Sequence, residues 1–403
     1  MKIGRKILLC FLVTVLIIIV GLTVANVINN CEINEYIDSF CKVKYENQLI
    51  PERDGEGNHY FVTDGEFTIM QLTDIHIGGG FLSKEQDKKA IRAVATMISA
   101  EKPDLVIVTG DIAFAVPWSG TVNNYRSHSM FIRLMERLGV YWTVTFGNHD
   151  SDIYNLLGKS QVADLYAKEG KRFCLFQKGP EEVDGYGNHV INIKNTQNLI
   201  TKSLIMLDTN SYIPEDPLGI QWIYDNIHEN QVEWYENTIK SLNSHNQSII
   251  NAMHESEGDE DLSQYSTVKS LLFTHIPMTE MKDAWMEFLE NGKKDTENVK
   301  YLGGKMGKAY PYVNSPKYDD NMFETVLELG STEAIFCGHD HDNNIVLEYK
   351  GVKLSYNYSV DYYAYPGIEN MTQQRGCSII SFKDAGETVI SHEQYIQNKY
   401  IKP

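Results

Sequence analysis

Positive charge is in short supply in this chain. Against 54 aspartates and glutamates stand 36 lysines and arginines, giving a formal net charge of −18 over 403 residues. Three of those basic residues, Lys2, Arg5 and Lys6, precede the first apolar run, so the remainder is more acidic still. A polyanionic backbone is repelled by such a surface, which counts against nucleic acid as a partner. Cysteine is scarce as well: six in a chain this long do not make a disulfide scaffold. Cys31 and Cys41 lie where they could pair in an oxidising compartment. Cys337 sits inside an apolar strand and reads as a small core hydrophobe. There is no internal repeat, no compositional mark of disorder and no linker dividing the globular part.

What is present begins with one uncharged run. Residues 7–25 are almost wholly apolar and follow the basic cluster. A membrane span needs about 20 such residues, whereas the core of a signal peptide has about 7–15. The length favours an uncleaved anchor with its N-terminus inside, and the small residues Thr23-Val24-Ala25 leave a cleaved signal as the alternative. Both place the rest of the chain outside the cell. The expected organisation is a membrane anchor over 1–29, a polar juxtamembrane stalk over 30–59, and a single catalytic domain over 60–403.

Within that domain several apolar runs stop at chemistry-bearing residues. Leu105-Val106-Ile107-Val108-Thr109 ends in Gly110-Asp111; residues 67–72 run into Asp74 and His76; residues 141–146 run into Gly147-Asn148-His149-Asp150. Later runs end at Thr274-His275 and at Gly338-His339-Asp340-His341. Helical spacing over 84–101 and 125–138 separates the first three strands, the βαβ rhythm of a parallel sheet. Ligands collect beyond the carboxyl ends of such strands. Residues 152–167 carry a further helical pattern, 254–264 read as an exposed acidic loop, and 280–315 as an irregular lid. The short runs after 345 alternate in the manner of antiparallel strands.

Asp74, His76, Asp111, Asn148, His149, His275, His339 and His341 thus stand at five strand ends. Histidine with carboxylate and amide oxygens is a donor set for borderline divalent ions such as Zn, Mn and Fe. Alternate residues on an extended segment point the same way, so Asp74-x-His76 and His339-x-His341 can each offer two donors together. The two oxygens of Asp111 could bridge a pair of ions, a known device for phosphoester hydrolysis.

The set Asp74-x-His76, Gly110-Asp111, Gly147-Asn148-His149-Asp150, His275 and Gly338-His339-x-His341 resembles the calcineurin-like metallophosphoesterase superfamily in order and rough spacing. It is closest there to proteins related to the purple acid phosphatases. The resemblance implies an α/β fold of two packed mixed sheets flanked by helices, a four-layer sandwich. It implies two divalent metals, one held by Asp74, His76, Asp111 and His341, the other by Asp111, Asn148, His275 and His339. The attacking group would be a hydroxide shared by the ions. His149 would be the general acid and Asp150 would orient it. The resemblance also implies a phosphate-ester substrate, with monoesters favoured over diesters, and the exported position leads to a single-pass protein of the cell membrane. A nuclease and a non-catalytic surface protein on the same scaffold are the alternatives. One departure stands out. The tyrosine that binds ferric iron in purple acid phosphatases is replaced by Phe114 in Gly110-Asp111-Ile112-Ala113-Phe114, which removes the oxygen needed for a ferric–tyrosinate centre.

Overall fold

The structure, a computed structural model, describes residues 2–170, 172–257, 261–307, 313–365, 368, 375–395 and 400. A long helix α1 (Lys2–Asp38) leads into β1 (Glu52–Arg53), β2 (His59–Val62) and β3 (Glu66–Leu72). The βαβ rhythm follows with α2 (Lys84–Glu101), β4 (Leu105–Thr109), α3 (Asn124–Leu138), β5 (Trp142–Thr145) and α4 (Lys159–Glu169). Next come β6 (His189–Lys194), β7 (Ile200–Met206), α5 (Glu229–Glu257), β8 (Ser270–Phe273), α6 (Thr279–Glu290) and β9 (Val299–Gly303). The chain finishes with α7 (Met322–Leu329), β10 (Thr332–Cys337), β11 (Val346–Tyr349), β12 (Val352–Tyr356), β13 (Gly376–Lys383) and β14 (Val389–Gln394).

These strands form two mixed sheets. The smaller has the order β14-β13-β3-β4-β5, with β3, β4 and β5 parallel and the β13–β14 hairpin antiparallel at its side. The larger has the order β1-β2-β6-β7-β8-β10-β12-β11-β9, with β7, β8, β10 and β12 parallel at its centre. The period-2 alternation divides the larger sheet's central strands between two cores. Leu204, Met206, Leu271, Phe273, Ala334 and Phe336 face the small sheet. Ile205, Leu272, Ile335 and Cys337 face α5, α6 and α7 on the outside. With α2 and α3 covering the other sheet, both sheets are buried on two faces, which is why their central strands read as continuous apolar runs. The two packed mixed sheets with helices outside are as the resemblance implies.

Four segments differ from expectation. Residues 30–59 are not a stalk. α1 continues to Asp38, with Ile33 and Ile37 fully buried, and the carboxylate of Asp38 takes Arg133 of α3. Two buried positions four residues apart form too narrow a stripe to register against the polar background. Beyond them β1 pairs with β2, which joins the larger sheet through β6. Second, the expected helix over 152–167 begins only at Lys159, because Asp152 to Gly158 form turns. Third, the part of 280–315 expected to be an irregular lid contains α6 and the edge strand β9; residues 308–312 lie outside the described residues. Fourth, α5 runs through the start of the acidic segment as far as Glu257. All six cysteines are free, and Cys31 and Cys41 are exposed.

Candidate metal centre

β3, β4 and β5 run parallel, so their carboxyl ends share one edge; β8 and β10 share the corresponding edge of the other sheet. Packed face to face, the two sheets bring these edges together. The turns that follow are tight. Asp74, His76, Asp111 and His339 adopt φ of 51°, 53°, 54° and 74°, the left-handed region that non-glycine residues avoid. Such a conformation costs about 1–3 kcal/mol per residue and persists where the surroundings impose it, often at functional sites. Gly147 permits a close approach: a Cβ there would lie 2.1 Å from Asp111 Oδ1.

The expected donors converge. Ligand atoms of Asp74, His76, Asp111 and His341 all lie within 4.8 Å of one another, and all four residues are buried. Asp111 Oδ1 accepts the backbone N–H of His149 at 2.8 Å. Its Oδ2 lies 3.3 Å from His76 Nε2 on the small sheet and 3.3 Å from His275 Nε2 on the large one. Asp74 is divided in the same manner: Oδ2 accepts the His339 N–H, and Oδ1 faces His341 Nε2 at 3.2 Å. His275 donates from Nδ1 to the Thr109 carbonyl at 2.8 Å, which turns its Nε2 lone pair toward Asp111 and Asn148. The Asn148 amide donates to Tyr212 at 2.9 Å, leaving its oxygen 3.1 Å from His275 Nε2.

Several of these inward atoms lack a hydrogen-bond partner despite full burial: Asp74 Oδ1, both His76 nitrogens and His339 Nε2. An orphaned buried acceptor costs about 1–3 kcal/mol, and a cluster of them on one point is what a bound cation would satisfy. The donor set therefore fits metal ions.

The electrostatics agree. Burial alone would raise Asp111, but His275 and His149 beside it hold it well below the usual carboxylate range. Burial opposes the charge on His275, and Asp111 outweighs it, lifting the ring to about 9. His341 is raised by Asp74 and Asp361 against the same penalty. His339, half-buried beside His275, is pushed well below its ordinary value by desolvation and by that neighbouring ring.

Asp150 does not touch His149. Its carboxylate accepts the backbone N–H groups of Asp111, Ala113 and Gly147 at 2.8–3.1 Å and ties two strand-end turns together. The expectation that it orients His149 is corrected by Asp152, whose Oδ2 lies 3.1 Å from His149 Nδ1. A second residue that the strand-end pattern missed is Asp361. It is fully buried and held by the N–H groups of Tyr363, Ala364 and Tyr365, with its oxygens 3.3 Å from His341 Nδ1 and 3.8 Å from His76 Nδ1. It follows β12, on the same edge, but five residues beyond the strand. Phe114 packs edge-on against His76 and His149, with ring centroids 5.1 and 5.0 Å away.

Comparison with known proteins gives one family model, calcineurin-like phosphoesterase, matching residues 67–343. The probable inactive purple acid phosphatase 14 of Arabidopsis thaliana is 27% identical over 335 residues, covering 76% of this chain and 73% of that one. The probable inactive purple acid phosphatase 29 of the same plant is 26% identical, covering 76% and 74%. Phosphatase DCR2 of Saccharomyces cerevisiae is 24% identical, over 70% of this chain and 45% of the yeast protein. Among solved structures, a dimetal phosphatase of Danio rerio aligns over 80% of this chain and 98% of its own, with 12% identity and a TM-score of 0.44.

Proposed function

Because the chain belongs to the calcineurin-like phosphoesterase family, we propose that it hydrolyses phosphate esters at this centre, monoesters ahead of diesters, with two divalent ions drawn from Mn, Fe and Zn. Asp74, His76, Asp111 and His341 would hold one ion, and Asp111, Asn148, His275 and His339 the other. When bound, such a pair lowers the pKa of the attacking water and draws charge from the phosphoryl oxygens. The observation that carries the reading is Asp111 Oδ2, equally distant at 3.3 Å from a histidine of each sheet. One shared oxygen between two imidazoles suits a bridge.

The chain's own groups supply the rest. Asp152 fixes His149 through Nδ1, which leaves Nε2 to give a proton to the departing alkoxide. Burial disfavours the protonated ring, but Asp111 and Asp152 outweigh it and raise His149 above its ordinary value, as an acid requires. Phe114 closes the side of the site where purple acid phosphatases carry their tyrosine, so a purple ferric–tyrosinate band is not expected.

The test is elemental analysis with a hydrolysis screen of monoesters beside diesters. Wild type should carry two ions per chain, Asp111→Ala should lose both, and His76→Ala should mainly weaken one. Two ions retained in Asp111→Ala would overturn the bridge. Two ions bound in wild type without turnover on any ester would overturn the enzyme. That outcome would favour a non-catalytic metal-binding scaffold, the reading to which the names of the plant relatives point.

A further inference from the structure

The apolar half of α1 meets the body of the molecule at the loops that follow β3 and β4. Residues 7–24 of α1 project from the body with their apolar side chains exposed, whereas Ile33 and Ile37 of the same helix are fully buried. Asn26 ties the helix to the body between these two stretches. Its amide donates to the Gly120 carbonyl at 2.8 Å, and its oxygen accepts the Phe81 N–H at 3.2 Å. There is no spacer. The 19 uncharged residues before that point would span about 29 Å as helix, close to a hydrocarbon core of about 30 Å. With that segment in a bilayer, the membrane surface falls at the loops holding Phe81 and Gly120. Those loops follow β3 and β4, whose ends carry His76 and Asp111, which brings the donors toward that surface.

The side chains at that edge suit the position. Leu82 is 57% exposed and Trp118 is 63% exposed, on two loops joined by the Leu82 N–H to the Ser119 carbonyl at 3.0 Å. Tryptophan is enriched at membrane–water interfaces. From Trp118 a succession of rings leads inward. Its ring lies 6.2 Å from Phe114, which packs against His76 and His149. An alcohol bearing acyl chains could keep its tails in the bilayer while its phosphate reaches the donors.

We propose that the substrate is a phosphate monoester carried by a lipid of the same bilayer, delivered along Trp118 and Phe114; this rests on the phosphoesterase reading above. Hydrolysis adds water across the P–O ester bond. The water oxygen bonds to phosphorus, and the electron pair of the broken bond leaves with the lipid oxygen. That oxygen takes the proton of His149, which is restored by the proton the water gives up, yielding the lipid alcohol and inorganic phosphate.

The experiment uses the full-length protein in phosphatidylcholine vesicles. One arm quenches tryptophan emission with brominated lipid. Wild type should be quenched, and Trp118→Phe should remove most of that quenched component; unchanged quenching would overturn the membrane placement. The other arm compares phosphatidic acid in the vesicle with water-soluble glycerol phosphate. We expect kcat/KM to be at least tenfold higher for the lipid. Leu82→Glu, on the outer rim, should cut the lipid rate about tenfold and leave glycerol phosphate hydrolysis unchanged. Equal rates on the two substrates, untouched by Leu82→Glu, would overturn the lipid assignment while leaving the phosphoesterase. No hydrolysis of either, with Trp118 still quenched, would overturn the phosphoesterase and the substrate together.

Discussion

His149 is held by two contacts with different purposes. Its backbone N–H is given to Asp111, which places it beside the donors, and its Nδ1 faces Asp152, which sets the ring. A positioned acid contributes about 10²–10⁴-fold, and most when the departing oxygen is basic. His149→Ala should therefore keep its metals, lose most activity on alkyl phosphates and retain proportionally more on nitrophenyl phosphate. Equal losses in kcat/KM on the two would mean that His149 is not the acid. His275 gives a second prediction. Its folded value, about 9, lies above the free value of 6.5, because Asp111 outweighs burial. The metal-free fold thus gains stability from the protonated ring below about 6.5 and loses that gain as pH rises toward about 9. Holding a cation needs the neutral ring, so metal affinity should rise with pH across this window and binding should release protons. Calorimetry in two buffers of different ionisation enthalpy measures that release; none near neutral pH would contradict the assignment. The seven proposed donors could be picked out in the sequence because each stands a few residues past an apolar strand. Asp361 and Asp152 could not. They act through histidines: the partners of Asp361 lie 20 and 285 positions away, and Asp152, three residues from His149, stands in an irregular segment with no apolar strand leading to it.

Among the elements, α1 changes the picture most. Its first half shows plainly in the sequence as an uncharged run, but its second half is amphipathic on so narrow a stripe that it reads as polar linker. Ile33 and Ile37 enter the core formed with α2 and α3, and Lys84 of α2 meets Glu32. Truncating a fully buried isoleucine costs about 2–5 kcal/mol through lost transfer energy and the cavity left behind. Ile37→Ala should therefore lower the unfolding midpoint of the full chain and open the 26–60 region to limited proteolysis. A flexible stalk would show neither change, so an unaltered midpoint and cleavage pattern would contradict the packing. The strands after 345 carried the opposite balance: their alternation announced antiparallel pairing, and β11–β12 and β13–β14 are hairpins. What alternation could not announce is that one hairpin completes the large sheet and the other the small one. That choice depends on which inner face each must cover.

At the scale of the molecule, the class of fold could be read from the βαβ rhythm, but not the way the centre joins two sheets. Asp74, His76, Asp111 and Asn148 come from the ends of β3, β4 and β5; His275, His339 and His341 come from β8 and β10. Between the sheets lies an apolar core, while at their shared edge lie buried, unpaired donors in strained turns. Without a cation that edge holds carboxylates and histidines with unmet bonding capacity; with one, the two sheets are tied together. A ligand that binds only the folded state stabilises it by about 2.7 kcal/mol at a hundredfold excess over Kd, and about 4.1 kcal/mol at a thousandfold. Chelation should therefore lower the melting temperature of wild type by several degrees, and returning Mn or Zn should restore it. Asp111→Asn removes the oxygen facing both sheets, so its melting temperature should be nearly indifferent to chelator. Hydrogen exchange locates the effect: on chelation, amides at the carboxyl ends of β4 and β5 should lose protection together with those of β8 and β10. Loosening confined to one sheet would mean that the ions are not shared between them, and an unchanged melting temperature would mean that these donors do not hold metal in the folded protein.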